Sequence, residues 1–544
     1  MFNDIRLLYD NSDDDNSDDV HFMATVVGLC RKTETIGTTK YQFIEIVDGQ
    51  QRITTLVLLL KAIELKIQSL LKDSKWRQQN PQAEREQNAL ANLLVNPDDN
   101  TQVLIQTNHD TSQYFANYLT EGEIPPDSET PKTLADKELL RAIRDCKNYA
   151  NSWDDIFMLL RIIKNQLYFV FHKITHEASV YTVFEVLNDR GLTVTPLDKL
   201  KSKLMAVVFD NDAGNKKEHI KRLHQIWGDI YETVGLHEGL DTEALQFAAT
   251  LRGNPVGKTV QQEDAVSQFM REVVPDPADP TKTDPAKTIE ISKWMLEVTK
   301  AIKRVYDEFS PSKDVVINII QVRMLATAIF IRRLSNDTER QLLNQMEKTS
   351  FRIFGLCREF GSDRITAQTE RGNYLRLAND FTNNKLSTDE MLQRIKKLGS
   401  NYSFNSIKAS DCYSWWADEL RYLLYRYEQY LAESQGKRFT DEEWNSIWKA
   451  SATSSIEHIH PQSKARQIEI SVHRIGNLLL LPPRINSQLS NKDPVDKAEE
   501  YRNTRLLGAE AVAKTIETGG EWTDEDIAGR SHEIAEWVYE EYSE

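Results

Sequence analysis

The feature that most constrains this chain is the break at Asp48-Gly49-Gln50-Gln51-Arg52, where a β-rich stretch gives way to helical periodicity. Upstream, His21 to Cys30 and Tyr41 to Val47 are short β-branched and aromatic segments separated by Gly37 and polar residues, which predicts a hairpin. Downstream, Ile53, Leu56, Leu59, Leu60, Ile63, Ile67 and Leu70 recur every three or four residues, which predicts a long amphipathic helix. The pentapeptide therefore falls on a strand-to-helix turn. Such a turn presents unpaired backbone N–H groups at the positive end of a helix dipole, and Arg52 adds a two-pronged donor suited to phosphate.

A second block obeys the same logic. Gln166 to Ile174 reads as a strand and Val180 to Leu187 as a short helix, and Pro196 to Lys201 opens another helix. Gly191 fits a helix stop, and Thr195 before Pro196 fits a cap with proline at the first helical position. Leu187, Gly191 and Pro196 need no role beyond structure. Asn188, Arg190, Asp198 and Lys201 are polar groups between apolar runs that could converge on the first turn.

From about Lys216 to Glu433 the pattern is mostly helical, clearest over Ile319 to Leu334 and Trp415 to Leu431. In the latter, Tyr422, Tyr425 and Tyr430 interleave with Arg421 and Arg426. Core packing with a solvated basic edge explains this better than nucleic-acid binding does. Val274 to Thr288, with Pro275, Pro277, Pro280 and Pro285, predicts an exposed loop or linker.

Near the C-terminus the ordered set is Glu457-His458-Ile459-His460-Pro461-Gln462, then Gly476-Asn477-Leu478, Asn486, and Lys492 or Lys497. Ser455 to His460 and Ile475 to Leu481 read as strands, and Ile485 to Leu489 begins the last element. Hydrolysing a phosphodiester needs a base to deprotonate water and a cation to stabilise charge building on the phosphate. His458 is the natural base, because neutral imidazole titrates near working pH. Glu457 and Asn486 offer oxygen ligands for magnesium or manganese. Asn477 would hold His458, or the hairpin around it, in place. A regular strand sends neighbouring side chains to opposite faces, so Glu457 and His458 share one site only if the backbone bends there. His460 lies on the same strand face as His458 and is the rival base. His473 reads as a surface residue before the strand.

Composition narrows the partners. The net charge of -16 argues against a protein that coats nucleic acid through bulk electrostatics, so DNA contact must be local. The acidity concentrates in Asp13 to Asp19 and in residues 517 to 544, which hold ten Asp or Glu against one Arg; both read as solvated surface or tail. Cys30, Cys146, Cys357 and Cys412 show no paired spacing and read as reduced thiols. With no apolar run of eighteen residues and no signal-like N-terminus, a cytoplasmic protein with no membrane partner is expected.

Asp48-Gly49-Gln50-Gln51-Arg52 followed by Ile-Thr-Thr-Leu resembles the signature of the ParB/sulfiredoxin-like domain in GmrSD-like, modification-dependent (type IV) restriction enzymes. In that family this turn and the block from Phe184 to Lys201 flank a nucleotide pocket. The C-terminal set resembles the HNH nuclease domain of the same family, in which a hairpin and a helix grip one divalent metal. The family's earlier Gln-Arg and aromatic segment does not occur here, and Met1 to Leu8 resembles the stretch just C-terminal to that segment. Either the start is truncated or the pocket lacks one wall.

The resemblance implies an α+β multidomain protein: a ParB/sulfiredoxin-like domain over 1–212, a mostly α-helical middle over 213–433 and a ββα-metal (HNH) nuclease domain over 434–544. It implies a metal-dependent DNA endonuclease of a prokaryotic anti-phage defence or restriction system, gated by a nucleotide (GTP or another NTP) and by DNA modification, and open to homo-oligomerisation. The alternatives are a nucleotide-binding regulatory or DNA-binding protein with a vestigial nuclease domain, and a nucleotide hydrolase with no DNA substrate.

Overall fold

The structure is a computed structural model of the 544-residue chain. It describes residues 1–10, 20–36, 39–95, 114–123, 131–174, 195–211, 215–253, 257–276, 278–279, 282–309, 311–361, 368–400, 403–405, 407–436 and 441–543. Helix dominates, with two small sheets among the described residues. The chain forms two units, Met1–Leu245 with Gln261–Thr299, and Gln246–Val260 with Lys300–Glu544.

In the first unit, β1 (His21–Ile36) and β2 (Thr39–Asp48) form the expected antiparallel hairpin, longer at both strands than their most apolar cores. β3 (Leu167–Ile174) pairs parallel to β1, giving the order β2-β1-β3. Parallel neighbours need a long crossover. The helices between β2 and β3 supply it, beginning with α1 (Gln50–Leu70). α1 buries Val57, Leu58, Ala62, Ile63 and Ile67 against Ile143, Cys146 and Ala150 of α2 (Leu134–Asn151), and against Leu159 and Ile163. Each large aliphatic side chain so buried contributes roughly 1.5–3 kcal/mol. α3 (Pro196–Asn211) starts at the expected proline, and Thr195 Oγ1 caps it by accepting from Asp198 N at 3.2 Å. The helix expected over Val180 to Leu187 lies outside the described residues, as does the acidic run Asp13 to Asp19.

In the second unit the two helical patterns form as Ile320–Ile331 and α4 (Ala417–Ser434). Tyr422 is fully buried and its hydroxyl donates to Glu347 Oε1 at 2.6 Å, while Arg426 faces Glu347 and Glu541, so these groups are packing partners. In the first unit, the proline-rich stretch connects helices ending at Val273 and beginning at Ala286. Near the C-terminus, β4 (Ile456–His458) and β5 (Leu478–Leu480) form a two-stranded antiparallel sheet. They are followed by α5 (Pro483–Leu489), α6 (Pro494–Asn503), α7 (Leu507–Gly519) and α8 (Asp524–Ser543).

The acidic C-terminus corrects one expectation. Residues 517 to 544 read as solvated surface or tail; α8 is not a tail but a packed helix, with Glu525, Glu533, Glu536 and Glu540 on its exposed faces. Ile527, Ile534, Val538 and Tyr542, spaced seven, four and four residues apart, form a buried stripe, and the carboxylates take the other faces. Asp524 is also used, accepting from Glu469 N at 3.0 Å and Ile470 N at 3.2 Å.

Candidate active site

The hairpin is held by side chains drawn from four directions. Its register pairs Ile456 with Leu480, Glu457 with Leu479 and His458 with Leu478. Ile475 to Asn477, expected as strand, instead forms a 3-10 turn, and Ile459 N donates to Asn477 O at 2.9 Å to extend the ladder. The Asn477 side chain is fully buried and spends its amide on three bonds: Oδ1 accepts from His460 N at 2.8 Å, and Nδ2 donates to His460 O at 3.0 Å and Val472 O at 2.9 Å. It clasps the chain where β4 ends.

Helix α8 clasps the other strand. Gly476 is required because a Cβ there would lie 2.1 Å from Ile527 O and 2.8 Å from Ser531 N. That closeness lets Ser531 Oγ accept from Gly476 N at 3.0 Å. It also lets Arg530 Nη1 donate to Gly476 O and Leu478 O, both at 2.8 Å, and to Ile475 O at 3.1 Å. Asn486 on α5 donates from Nδ2 to Ser454 O at 2.8 Å and Ile456 O at 3.2 Å, fixing the entry to β4.

Glu457 and His458 have separate partner sets. Lys497 of α6, fully buried, donates from Nζ to Glu457 Oε1 at 2.7 Å, to His458 O at 2.8 Å and to Ile459 O at 3.2 Å. Tyr501 donates its hydroxyl to the same Oε1 at 2.9 Å. Burial pushes the Glu457 carboxyl up and the Lys497 ammonium down, and each opposes the other's shift by its charge.

His458 faces a different group. Its Nε2 lies 3.1 Å from His473 Nδ1, and its Nδ1 lies 3.1 Å from Gln462 Nε2. The Tyr413 ring meets His458 edge-on at 4.5 Å and stacks on His473 at 5.4 Å with a 4° interplanar angle. His473 is thus a half-buried partner of His458, which corrects its reading as a surface residue. Burial, then the neighbouring His473 and Lys497, push the His458 imidazole down to about 3, against the pull of Asp411. Burial thus favours the neutral ring, which departs from the expectation that this histidine titrates near working pH.

His460 is engaged elsewhere. Its Nε2 lies 3.1 Å from Lys464 O, so that nitrogen must carry a proton and donate it.

A divalent cation can be tested against this geometry. One oxygen of Glu457, Oε1, accepts from the Lys497 ammonium and the Tyr501 hydroxyl, and a metal on this carboxylate would face a buried positive charge. Among the described residues no group of three His, Cys, Asp or Glu side chains is placed to hold a metal. The pair Glu457 and Asn486 does not fit a divalent cation in this arrangement.

The turn at the head of α1 has the geometry its sequence suggests. Gly49 has φ +88°, and a Cβ there would approach Val26 Cγ2 to 3.0 Å. Ile53 N donates to Gly49 O at 3.1 Å to start the helix, and Gln50 Nε2 donates back to Ile46 O at 2.6 Å. Asp48 ends β2 half-buried, and Gln51 and Arg52 are exposed on the first turn. Asp198 accepts from Thr195 Oγ1 at 2.9 Å and from the Tyr231 hydroxyl. The Lys201 ammonium lies 4.9 Å from the centre of the Tyr231 ring, pulled down by burial and held up by Asp198. Asp198 and Lys201 are therefore brought together, with Tyr231 as a partner that sequence reading missed. Asn188 and Arg190 lie outside the described residues.

Comparison with known families agrees with both ends of the chain. Residues 2–205 match the GmrSD restriction endonuclease N-terminal domain, and residues 401–537 match the C-terminal domain of GmrSD restriction endonucleases. By class the protein is a restriction nuclease, a hydrolase of the kind that acts on DNA. The two matches together span more than half of the chain, which belongs to the GmrSD restriction endonuclease family. No curated protein sequence matches it significantly. No helix among the described residues is long and apolar enough to cross a membrane.

Proposed function

We propose that the protein is a metal-dependent DNA endonuclease of a prokaryotic anti-phage defence or restriction system, with phosphodiester hydrolysis at the β4–β5 hairpin. The observation that carries this is the buried, neutral His458, wired by both ring nitrogens to Gln462 and His473 on a hairpin clamped by Asn477, Arg530 and Lys497. A base must be unprotonated and rigidly placed to take a proton from water. Burial answers the first requirement and the clamps answer the second. Magnesium or manganese is the cofactor this reading carries over, and no step is assigned through it.

In the first unit, the exposed Gln51 and Arg52 at the N-terminus of α1 offer a helix-end anion site, and Asp48, Gly49 and Gln50 shape the turn. Asp198 and Lys201, with Asn188 and Arg190, complete the nucleotide site in this reading. Nucleotide binding or hydrolysis, and DNA modification, would gate cutting.

The test is cleavage of modified and unmodified DNA, with magnesium or manganese and with or without nucleotide, by wild type and His458→Ala. Metal-dependent cutting lost in the variant supports the reading; equal cutting by both proteins sinks the assignment of His458. A second reading, a nucleotide-binding regulator with a vestigial nuclease domain, is favoured by one observation, the Glu457 carboxylate tied up by Lys497. Metal-dependent cutting by the wild type eliminates it.

A further inference from the structure

We infer that Trp415 is a DNA-contacting residue of this site, an exposed indole on which a base of the substrate stacks beside the scissile phosphate. The inference rests on the nuclease reading of the β4–β5 hairpin and keeps His458 as its base.

The exposure of this side chain sets it apart. Trp415 is 82% exposed, more than any other large apolar side chain among the described residues. Every other tryptophan whose side chain is described is buried or half-buried. Trp415 nonetheless sits on a firmly held loop. On one side, the Asp411 carboxylate accepts from Tyr413 N at 2.9 Å, Ser414 N at 3.0 Å and Ser414 Oγ at 2.8 Å, and Cys412 N donates to His473 O at 3.0 Å. On the other, Trp416 is fully buried, meets Phe360 edge-on at 4.9 Å and donates from Nε1 to Gly355 O at 3.3 Å. The backbone is thus pinned before and after the one indole that faces solvent, and a ligand that meets it has no loop to order.

Its place defines the ligand. Tyr413, two residues earlier on the same loop, lies against both His458 and His473. Two residues span at most about 7 Å, roughly two nucleotide steps along a strand. Trp415 is therefore within reach of the nucleotides next to a phosphate held at His458. The exposed charged groups flanking it are the carboxylates of Asp411 and Asp418, which repel phosphate and leave a base face as the part of DNA the indole can take. The chain carries a net charge of -16, so bulk electrostatics oppose DNA binding and a contact that needs no charge gains weight. Stacking on an aromatic ring is such a contact, since every base has a π-face.

A base face is offered in two ways: by single-stranded or unstacked DNA, or by a duplex step that opens to admit the ring. Both make the same contact with Trp415, and comparing single-stranded with duplex DNA tells them apart. Packing of the indole against a second copy of the chain is a different claim, under which Trp415→Ala changes the oligomeric state instead of DNA affinity.

The experiment titrates short fluorescein-labelled DNA, single-stranded and duplex, with the full chain in EDTA and reads the anisotropy. Trp415→Ala should raise Kd at least about fivefold for one or both forms. Trp415→Phe, which keeps a π-face, should recover part of that affinity, and Trp415→Leu, which keeps only apolar area, should not. Because the contact is uncharged, the ratio of variant to wild-type Kd should hold constant as salt is raised, while both Kd values climb. Wild-type affinity of Trp415→Ala for both forms would overturn the inference, and plasmid cutting that is still lost in His458→Ala would leave the nuclease reading standing. Equal affinities of Trp415→Leu and Trp415→Phe, a ratio that falls toward one as salt rises, or a changed oligomeric state in Trp415→Ala at unaltered DNA affinity would overturn it as well. Wild-type protein that binds neither form and cuts no plasmid would remove both.

Discussion

Glu457 and Lys497 form an ion pair inside the second unit, with the ammonium fully buried and 2.7 Å from the carboxylate oxygen. Removing Lys497 leaves the Glu457 carboxylate buried without a counter-charge, with the Tyr501 hydroxyl still donating to it. Lys497→Met should therefore destabilise the unit by about 3–5 kcal/mol. The double variant Glu457→Gln/Lys497→Met, which removes both charges, should recover most of that loss. Urea denaturation of the single and double variants measures both. A double variant no more stable than Lys497→Met would contradict the pairing.

Asn477 concerns placement of the hairpin. Its amide makes three buried hydrogen bonds to the backbone of His460 and Val472. Asn477→Ala should cost about 1–3 kcal/mol for the polar groups left unpaired, together with most of the cleavage. Asn477→Asp is expected to be no better, since a carboxylate cannot donate to the His460 and Val472 carbonyls. Denaturation midpoints and plasmid cutting measured on the same preparations check this.

Gly476 tests the closeness of α8. A methyl group there meets Ile527 O at 2.1 Å, which is backbone and cannot swing aside. Gly476→Ala should destabilise by about 1–3 kcal/mol as helix and hairpin separate. A substitution without effect on the unfolding midpoint would contradict the packing described.

His458 contributes to the acid limb of stability. Its folded value, about 3, lies below the ordinary 6.5, so between those two pH values the unfolded chain binds the extra proton. The stabilisation from burying neutral His458 is complete above about pH 6.5 and is lost progressively as pH falls toward 3. Denaturant midpoints of wild type should fall across this window more steeply than those of His458→Gln. Parallel curves would show that His458 is not buried as described.

Much of this was legible in the residues. The turn at Asp48 to Arg52 was marked by the switch from β-branched segments to helical spacing, and α3 by Thr195 and Pro196. The hairpin at Glu457 was marked by its ordered motif. Other features required the folded chain. His473 lies fifteen residues from His458, and the 3-10 turn over Ile475 to Asn477 helps bring it back. Tyr413 and Arg530 reach the site from other elements, where no local pattern announces them. The acidic residues of α8 hid a buried stripe, because composition counted charges without regard to the face on which they lie.

The most direct measurement of the central claim is cutting of supercoiled plasmid or phage DNA by the purified full chain, with magnesium or manganese, in wild type and His458→Ala. Metal-dependent cutting by wild type, lost by at least about a hundredfold in a variant that remains folded, is the expected result. Cutting at equal rates by the two proteins would contradict the account.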